Sequence, residues 1–268
     1  IHGVKFFQRF FDQLMALIGA VEDAAAGCAC AEIVQKGDPE RFRAVMAANV
    51  PARRILFPLY AFNIEVTRAP WVTKEPMIAE MRLQWWADAL EEIGGGVPAR
   101  KHEVVDALAE ILDAQGALTL SKLVAARRWD IYSDAFEDQS HFDEYIDGTT
   151  GGLLWTAARL MGAEDEPAGR DYAHGVGVAN FMRAIPELES RGRKPLVDGT
   201  SDGVRELAGE ALVRLARGAL PKDVALAGFL AKTTLKRAIA DPQRVVHGAL
   251  ELSPLGQTLQ LMKASLLS

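Results

Sequence analysis

Residues Arg54 to Trp71, RILFPLYAFNIEVTRAPW, decide the fold. The apolar residues Ile55, Leu56, Leu59, Tyr60, Phe62, Ile64 and Val66 recur mostly at helical intervals, which places the stretch on a buried helix. Asn63, Glu65 and Thr67 sit in the same segment. Pro70 lacks a backbone donor and clashes with the turn before it, so the helix is expected to end there.

From Cys28 onward the chain is nearly all helical pattern. Asp38-Pro39-Glu40 reads as a helix start: Asp38 caps, Pro39 takes the first position, and the charge of Glu40 suits the dipole. Helices are expected near 51–69, 74–93, 103–114, 118–136, 141–161, 168–185, 202–217, 222–240 and 253–267. Breaks fall at residues that stop helices, such as Gly94-Gly95-Gly96, Gly162 and Asp241-Pro242. No alternating β-branched and aromatic run stands out. The expectation is one all-α domain over residues 27–268.

Residues 1–26 read differently. Val4, Phe6, Phe7, Phe10, Phe11, Leu14, Met15, Leu17, Ile18 and Val21 form the apolar face of an amphipathic helix. Over residues 4–22 it either packs on its own domain or makes peripheral contact with a membrane or partner; the opening Ile1 leaves a start-site artefact as a third reading. Asp12 interrupts any secretory signal.

With 268 residues and 49% hydrophobic content, the chain can bury a large core. A net charge of −6 gives no overall basic field, so nucleic acid is not an expected partner. Cys28 and Cys30, separated by a single residue, fit neither a zinc nor a redox motif, and a reducing, cytoplasmic setting suits them best. No apolar run approaches the roughly 18 residues of a membrane span.

Four further stretches carry chemistry. In MRLQWWADALEEI, Trp85 and Trp86 read as core, while Arg82 beside them needs solvent or a partner. Asp130 and Asp134 have the spacing of a metal pair on one helix, against which Arg127 offers a plain surface ion pair with Asp130. Gly148, Gly151 and Gly152 weaken a helix, by about 1 kcal/mol each relative to Ala, which suggests close approach of a neighbouring helix or a ligand. In YAHGVGVANFMRAIPELESRGRKPL, Asn180, Arg183 and Glu187 share a face, and Pro186 is expected to end the helix. Arg191, Arg193 and Lys194 form a basic loop that either binds a phosphate or is a solvated turn.

The words LYAF, RLQWW and NFMRA resemble the squalene/phytoene synthase family of head-to-head prenyltransferases, over roughly residues 28–268. That resemblance implies an isoprenoid-synthase-type helical bundle around a central apolar cavity. In catalytic members, the helix after YAF carries aspartates four residues apart that hold Mg2+ against a diphosphate. Here Thr67 or Arg68, and Trp71, stand in their places. The second acidic helix is similar at Gly175, Ala179, Asn180 and Arg183, but Ala184 replaces the aspartate after the arginine. Tyr145, Gly151 and Gly152 match the stretch bordering the prenyl chain. YAFN-x-E and N-x-x-R-A-x-P look most like the branch related to the respiratory complex I assembly factor with a phytoene-synthase-like domain.

The resemblance therefore implies a pseudoenzyme with no catalytic or metal residues, binding a prenyl lipid or subunits of a membrane complex, in the cytoplasm or peripherally on the inner membrane face. Candidate ligand-binding residues are Arg54, Tyr60, Asn63, Glu65, Tyr145, Gly151, Gly152, Asn180, Arg183, Glu187, Arg191, Arg193 and Lys194. No cofactor is expected. The alternative is an active synthase condensing two prenyl diphosphates with Mg2+ on Glu65, Asp130, Asp134 and Glu187. A prenyl-lipid carrier or sensor is a third reading.

Overall fold

The computed structural model describes residues 29–132 and 134–267, among which there is no strand. The predicted amphipathic helix of residues 4–22 and Cys28 lie outside them. The chain runs through α1 (29–37), α2 (Pro39–Ala47), α3 (Val50–Arg68), α4 (Pro76–Gly94), α5 (Glu103–Ala109), α6 (Ala114–Arg127) and α7 (Gln139–Ile146). It continues through α8 (Gly152–Leu160), α9 (Glu166–Ser190), α10 (Ser201–Arg217), α11 (Lys222–Ala225), α12 (Ala231–Ala240), α13 (Gln243–Val246) and α14 (Pro254–Leu267). All belong to one all-α domain.

The decisive stretch is α3, which ends at Arg68, two residues before Pro70, as the proline dictates. Leu56, Leu59, Tyr60 and Phe62 on it are fully buried. Asp38 caps α2 as expected, its carboxylate accepting from the Arg41 N–H at 2.9 Å, with Pro39 and Glu40 in the first turn. Trp86 is buried in the core against Phe62, whereas Arg82 points to solvent.

The axis of the bundle is α9, 25 residues long, which packs on α8, α10 and α12. It does not end at Pro186, and the expectation of a break there is wrong. Ile185 and Leu188 flank the proline and are buried, and their burial, about 1.5–3 kcal/mol each, offsets the roughly 3 kcal/mol cost of an internal proline. Two glycines let α9 approach its neighbours. A Cβ on Gly175 would lie 2.5 Å from the Leu215 Cβ on α10, and one on Gly177 would lie 2.7 Å from Ile146.

The predicted helix over 118–136 also differs. Regular α-helix stops at Arg127 and a 3-10 turn follows over Arg128–Ile131. Trp129 and Phe136 stack at 4.1 Å between centroids and 13° between planes. In a continuous helix, seven residues advance about 10.5 Å, so this stack requires the chain to leave the helix. The predicted helix over 141–161 is interrupted by a π-helical turn at Asp147–Gly151, and that over 222–240 by a 3-10 turn at Leu226–Gly228.

Candidate functional site

A cleft of about 650 Å³ opens between the start of α2, the last turns of α3, the middle of α9 and the turn at 226–228. Asn63 and Thr67 project into it from α3; Asn180, Arg183 and Ala184 do so from α9. Asp38, Glu40, Arg41 and Arg43 from the α2 end, Arg127 from α6, and Glu251 and Gln257 complete a wall that is largely polar.

Asp38, Glu40, Arg41, Arg183 and Glu251 of this wall are paired with one another, whereas Arg43 donates to the neutral Gln257 and Arg127 turns to Asp130 behind the cleft. Arg183 holds both oxygens of Glu40 at 2.8 Å and reaches Glu251 at 3.4 Å. Arg41 lies 3.6 Å from the Asp38 carboxylate and covers the ring of Tyr60 at 4.8 Å. Tyr60 is fully buried and its hydroxyl has no hydrogen-bond partner among the described residues; burial pushes that hydroxyl up to about 12. The Thr67 hydroxyl is likewise buried and, among the described residues, unpartnered.

Behind the cleft lies a second polar cluster. Asp130 is buried, and its carboxylate accepts from Arg127 at 3.0 Å and from the Tyr145 hydroxyl at 2.9 and 3.1 Å. Arg127 also donates to the Tyr145 oxygen at 2.6 Å. Burial holds the Tyr145 hydroxyl well above the usual phenol range, which keeps it a donor to Asp130. The Arg127–Asp130 pair foreseen in the sequence therefore exists, but it is an interior pair and not a surface one. Asp134 lies outside any helix and is exposed, so the two aspartates do not form a helical metal pair.

The basic loop is pinned. Arg193 is buried, its guanidinium lying 4.9 Å from the Trp71 ring and 5.2 Å from the Trp129 ring, and it donates to the Asp130 backbone carbonyl. Arg191 also lies over the Trp71 ring at 4.6 Å, while Lys194 is exposed. Trp71 is thus held by arginines at the position where the family resemblance would put an aspartate.

Of the sequence candidates, the cleft brings together Asn63, Asn180 and Arg183. Tyr60 packs beneath Arg41, behind the lining. Arg54 is exposed on α3 outside the cleft, and Glu65 faces Arg68 at 4.0 Å instead of the cleft. Glu187 is exposed and pairs with Arg191 at 2.7 Å, so it does not join Asn180 and Arg183. Tyr145 belongs to the Asp130 cluster. Gly152 faces Thr119 of α6, and a Cβ on Gly151 would meet the Asp147 carboxylate at 2.7 Å, so these glycines serve packing within the protein. Sequence reading missed Arg43, Glu251 and Gln257 as wall residues, and saw Glu40 only as a dipole partner.

The residues 34–197, more than half of the chain, match the model of the squalene/phytoene synthase family. The chain belongs to this family. A dehydrosqualene synthase crystal structure superposes with a TM-score of 0.71, covering 91% of this chain and 96% of that one at 14% identity. Squalene synthase HpnC from Alicyclobacillus acidocaldarius gives 0.59, covering 90% and 94% at 18% identity. At such identities the likeness shows the fold alone.

Two relatives with informative names are proteins of complex I assembly. NADH dehydrogenase (ubiquinone) complex I, assembly factor 6 homolog of Drosophila melanogaster is 31% identical over 178 residues, 63% of this chain and 53% of that protein. The Homo sapiens assembly factor 6 is 25% identical over 168 residues, 60% and 50% respectively. The chain thus spans about half the length of these relatives, and they are the branch to which YAFN-x-E and N-x-x-R-A-x-P point.

The Mg2+ that the family implies does not fit the residues present. Mg2+ requires carboxylate or phosphate oxygens in near-octahedral array. The cleft offers Thr67 and Ala184 where the family resemblance would put aspartates, with Asn63 and Asn180 beside them, and its carboxylates Asp38, Glu40 and Glu251 are paired with arginines. Among the described residues, no group of three or more His, Cys, Asp or Glu side chains is placed to hold a metal ion.

Proposed function

We propose that this squalene/phytoene synthase family member is a pseudoenzyme that helps assemble a membrane-bound respiratory complex, binding partner proteins, a prenyl or other lipid-like ligand, or both. The observation that carries this reading is the pairing of Arg183 with Glu40 inside the cleft. Ionising an allylic diphosphate requires the charge developing on the leaving group to be neutralised by metal ions and free cations. An arginine whose charge is already matched by Glu40 and Glu251 supplies little of that, and on the family resemblance Thr67 or Arg68, Trp71 and Ala184 stand where metal-gathering aspartates would. The names of the assembly-factor relatives support the partner class, subunits of a membrane complex. No metal cofactor belongs to this reading, and the protein acts from the inner face of the membrane.

The test is incubation with farnesyl or geranylgeranyl diphosphate and Mg2+, following pyrophosphate release. The expected result is release no faster than the blank, together with recovery of respiratory-complex subunits on the tagged protein. Pyrophosphate release well above the blank would instead establish a synthase with unusual ligands.

A further inference from the structure

The last helix, α14, is apolar on two opposite sides. Leu261 and Ala264 pack on the core, and Gln257 accepts from Arg43 of α2 at 2.5 Å, so the inner side is fixed along the protein surface. On the outer side Leu255, Leu259, Met262 and Leu266 are 70, 57, 53 and 75% exposed. At about 100° per residue these four fall within roughly 60° of arc, while Leu261 and Ala264 point the other way. A helix that docks only on its own domain presents polar residues outward. This one presents an unbroken aliphatic ridge.

The charge pattern is equally uneven. The chain contains 36 Asp and Glu, yet none lies between Leu252 and Ser268. The one charge in that stretch is Lys263, on the flank of the ridge, with Thr258 and Ser265 on the opposite flank. Aromatic and arginine anchors, which dominate protein–protein contacts, are missing from it. A convex aliphatic ridge lying flat on the surface, free of acids and edged by a lysine, matches a lipid headgroup layer in shape and in charge.

We propose that α14 seats this protein on a lipid bilayer surface, with Leu255, Leu259, Met262 and Leu266 entering the boundary between headgroups and acyl chains and Lys263 meeting the lipid phosphates. The contact is peripheral: among the described residues no helix is long and apolar enough to cross a membrane. It is carried by the ridge alone and does not depend on what the cleft binds.

The experiment is co-sedimentation of the full chain with vesicles of phosphatidylcholine, with and without phosphatidylglycerol. The native protein is expected to sediment with both, more with the anionic lipid. Leu259→Glu combined with Met262→Glu should lower the bound fraction about tenfold, since charge inserted at the boundary opposes burial. Lys263→Gln should remove only the gain from phosphatidylglycerol. Met77→Glu, on an apolar residue of α4 that is 76% exposed, is the control and should change nothing. All these side chains point outward, and helical circular dichroism verifies that each variant folds. The proposal fails if the native chain stays in the supernatant, or if the double variant binds as well as the native chain, as it would were residues 4–22 the anchor. It also fails if the native chain is a dimer that the double variant turns to monomer, because a second copy then covers the ridge.

Discussion

Arg183 and Glu40 face each other across the cleft in a two-point ion pair, Nη1 to Oε2 and Nη2 to Oε1, each 2.8 Å. The pair ties the middle of α9 to the first turn of α2 across 143 residues of sequence. Both side chains are mostly shielded, at 19% and 25% exposure, so the loss of either leaves a charge that water reaches poorly. Arg183→Ala is expected to cost about 2 kcal/mol, a fall in melting temperature of roughly 4 °C for a domain of this size, read by calorimetry. Adding Glu40→Ala should cost less than the sum of the two single changes, since it removes the stranded partner.

His174 makes stability depend on pH. Its ring is 2% exposed, and burial, reinforced by Arg214, pushes it down to about 4 against the pull of Asp143, Asp147 and Asp171. Above its ordinary value near 6.5 the folded and unfolded states are both neutral at this site, and the stability is fully present. As pH falls below that value, the unfolded chain takes up a proton that the folded one refuses, so stability is lost progressively toward pH 4. Between pH 7.5 and 5.0 the loss from this group is expected to be about 2 kcal/mol, seen as a lower urea midpoint. His174→Gln should flatten that dependence whatever it does to the stability at neutral pH.

The parts of this molecule legible in its sequence are those set by neighbours in the chain. The end of α3 before Pro70, the Asp38 cap and the buried face of Leu56, Leu59 and Tyr60 follow from local spacing. The family too was legible, because LYAF, RLQWW and NFMRA are short words. The cleft wall was not: Arg183 meets Glu40 across 143 residues, and Arg43 meets Gln257 across 214. Asp130 misled for the same reason. Its spacing from Asp134 suggests one helix, but its burial beside Tyr145, and the stack of Trp129 on Phe136, decide the backbone there. Pro186 shows the reverse case, a local signal overruled by the burial of Ile185 and Leu188.

Gly175 lies within the family-like stretch, and its work here is packing. A methyl group at this position would sit 2.5 Å from the Leu215 Cβ and 2.8 Å from the Ala211 carbonyl oxygen, both on α10. Backbone atoms cannot step aside as a flexible side chain can, so α9 and α10 must separate. Gly175→Ala is expected to destabilise the fold by about 2–3 kcal/mol despite the better helix propensity of alanine, measured by urea unfolding. Gly209→Ala is the contrast. A Cβ there meets nothing within 4 Å among the described residues, and the change should be neutral or stabilise slightly.

Arg193 gives the last prediction, and it separates the charge of the basic loop from its shape. The guanidinium lies against the indoles of Trp71 and Trp129 and donates to the Asp130 carbonyl, while neighbouring Lys194 is exposed. A planar cation between two rings gains from stacking that a lysine ammonium does not reproduce. Arg193→Lys, which preserves charge, is therefore expected to lose about 1–2 kcal/mol, and Lys194→Ala almost nothing. The readouts are tryptophan emission, which should shift to the red as water reaches Trp71 and Trp129, and proteolysis in the loop between α9 and α10, which should quicken. If Arg193→Lys matched the native protein in both while Arg193→Met did not, charge alone would hold the loop, and the stacked geometry would be incidental.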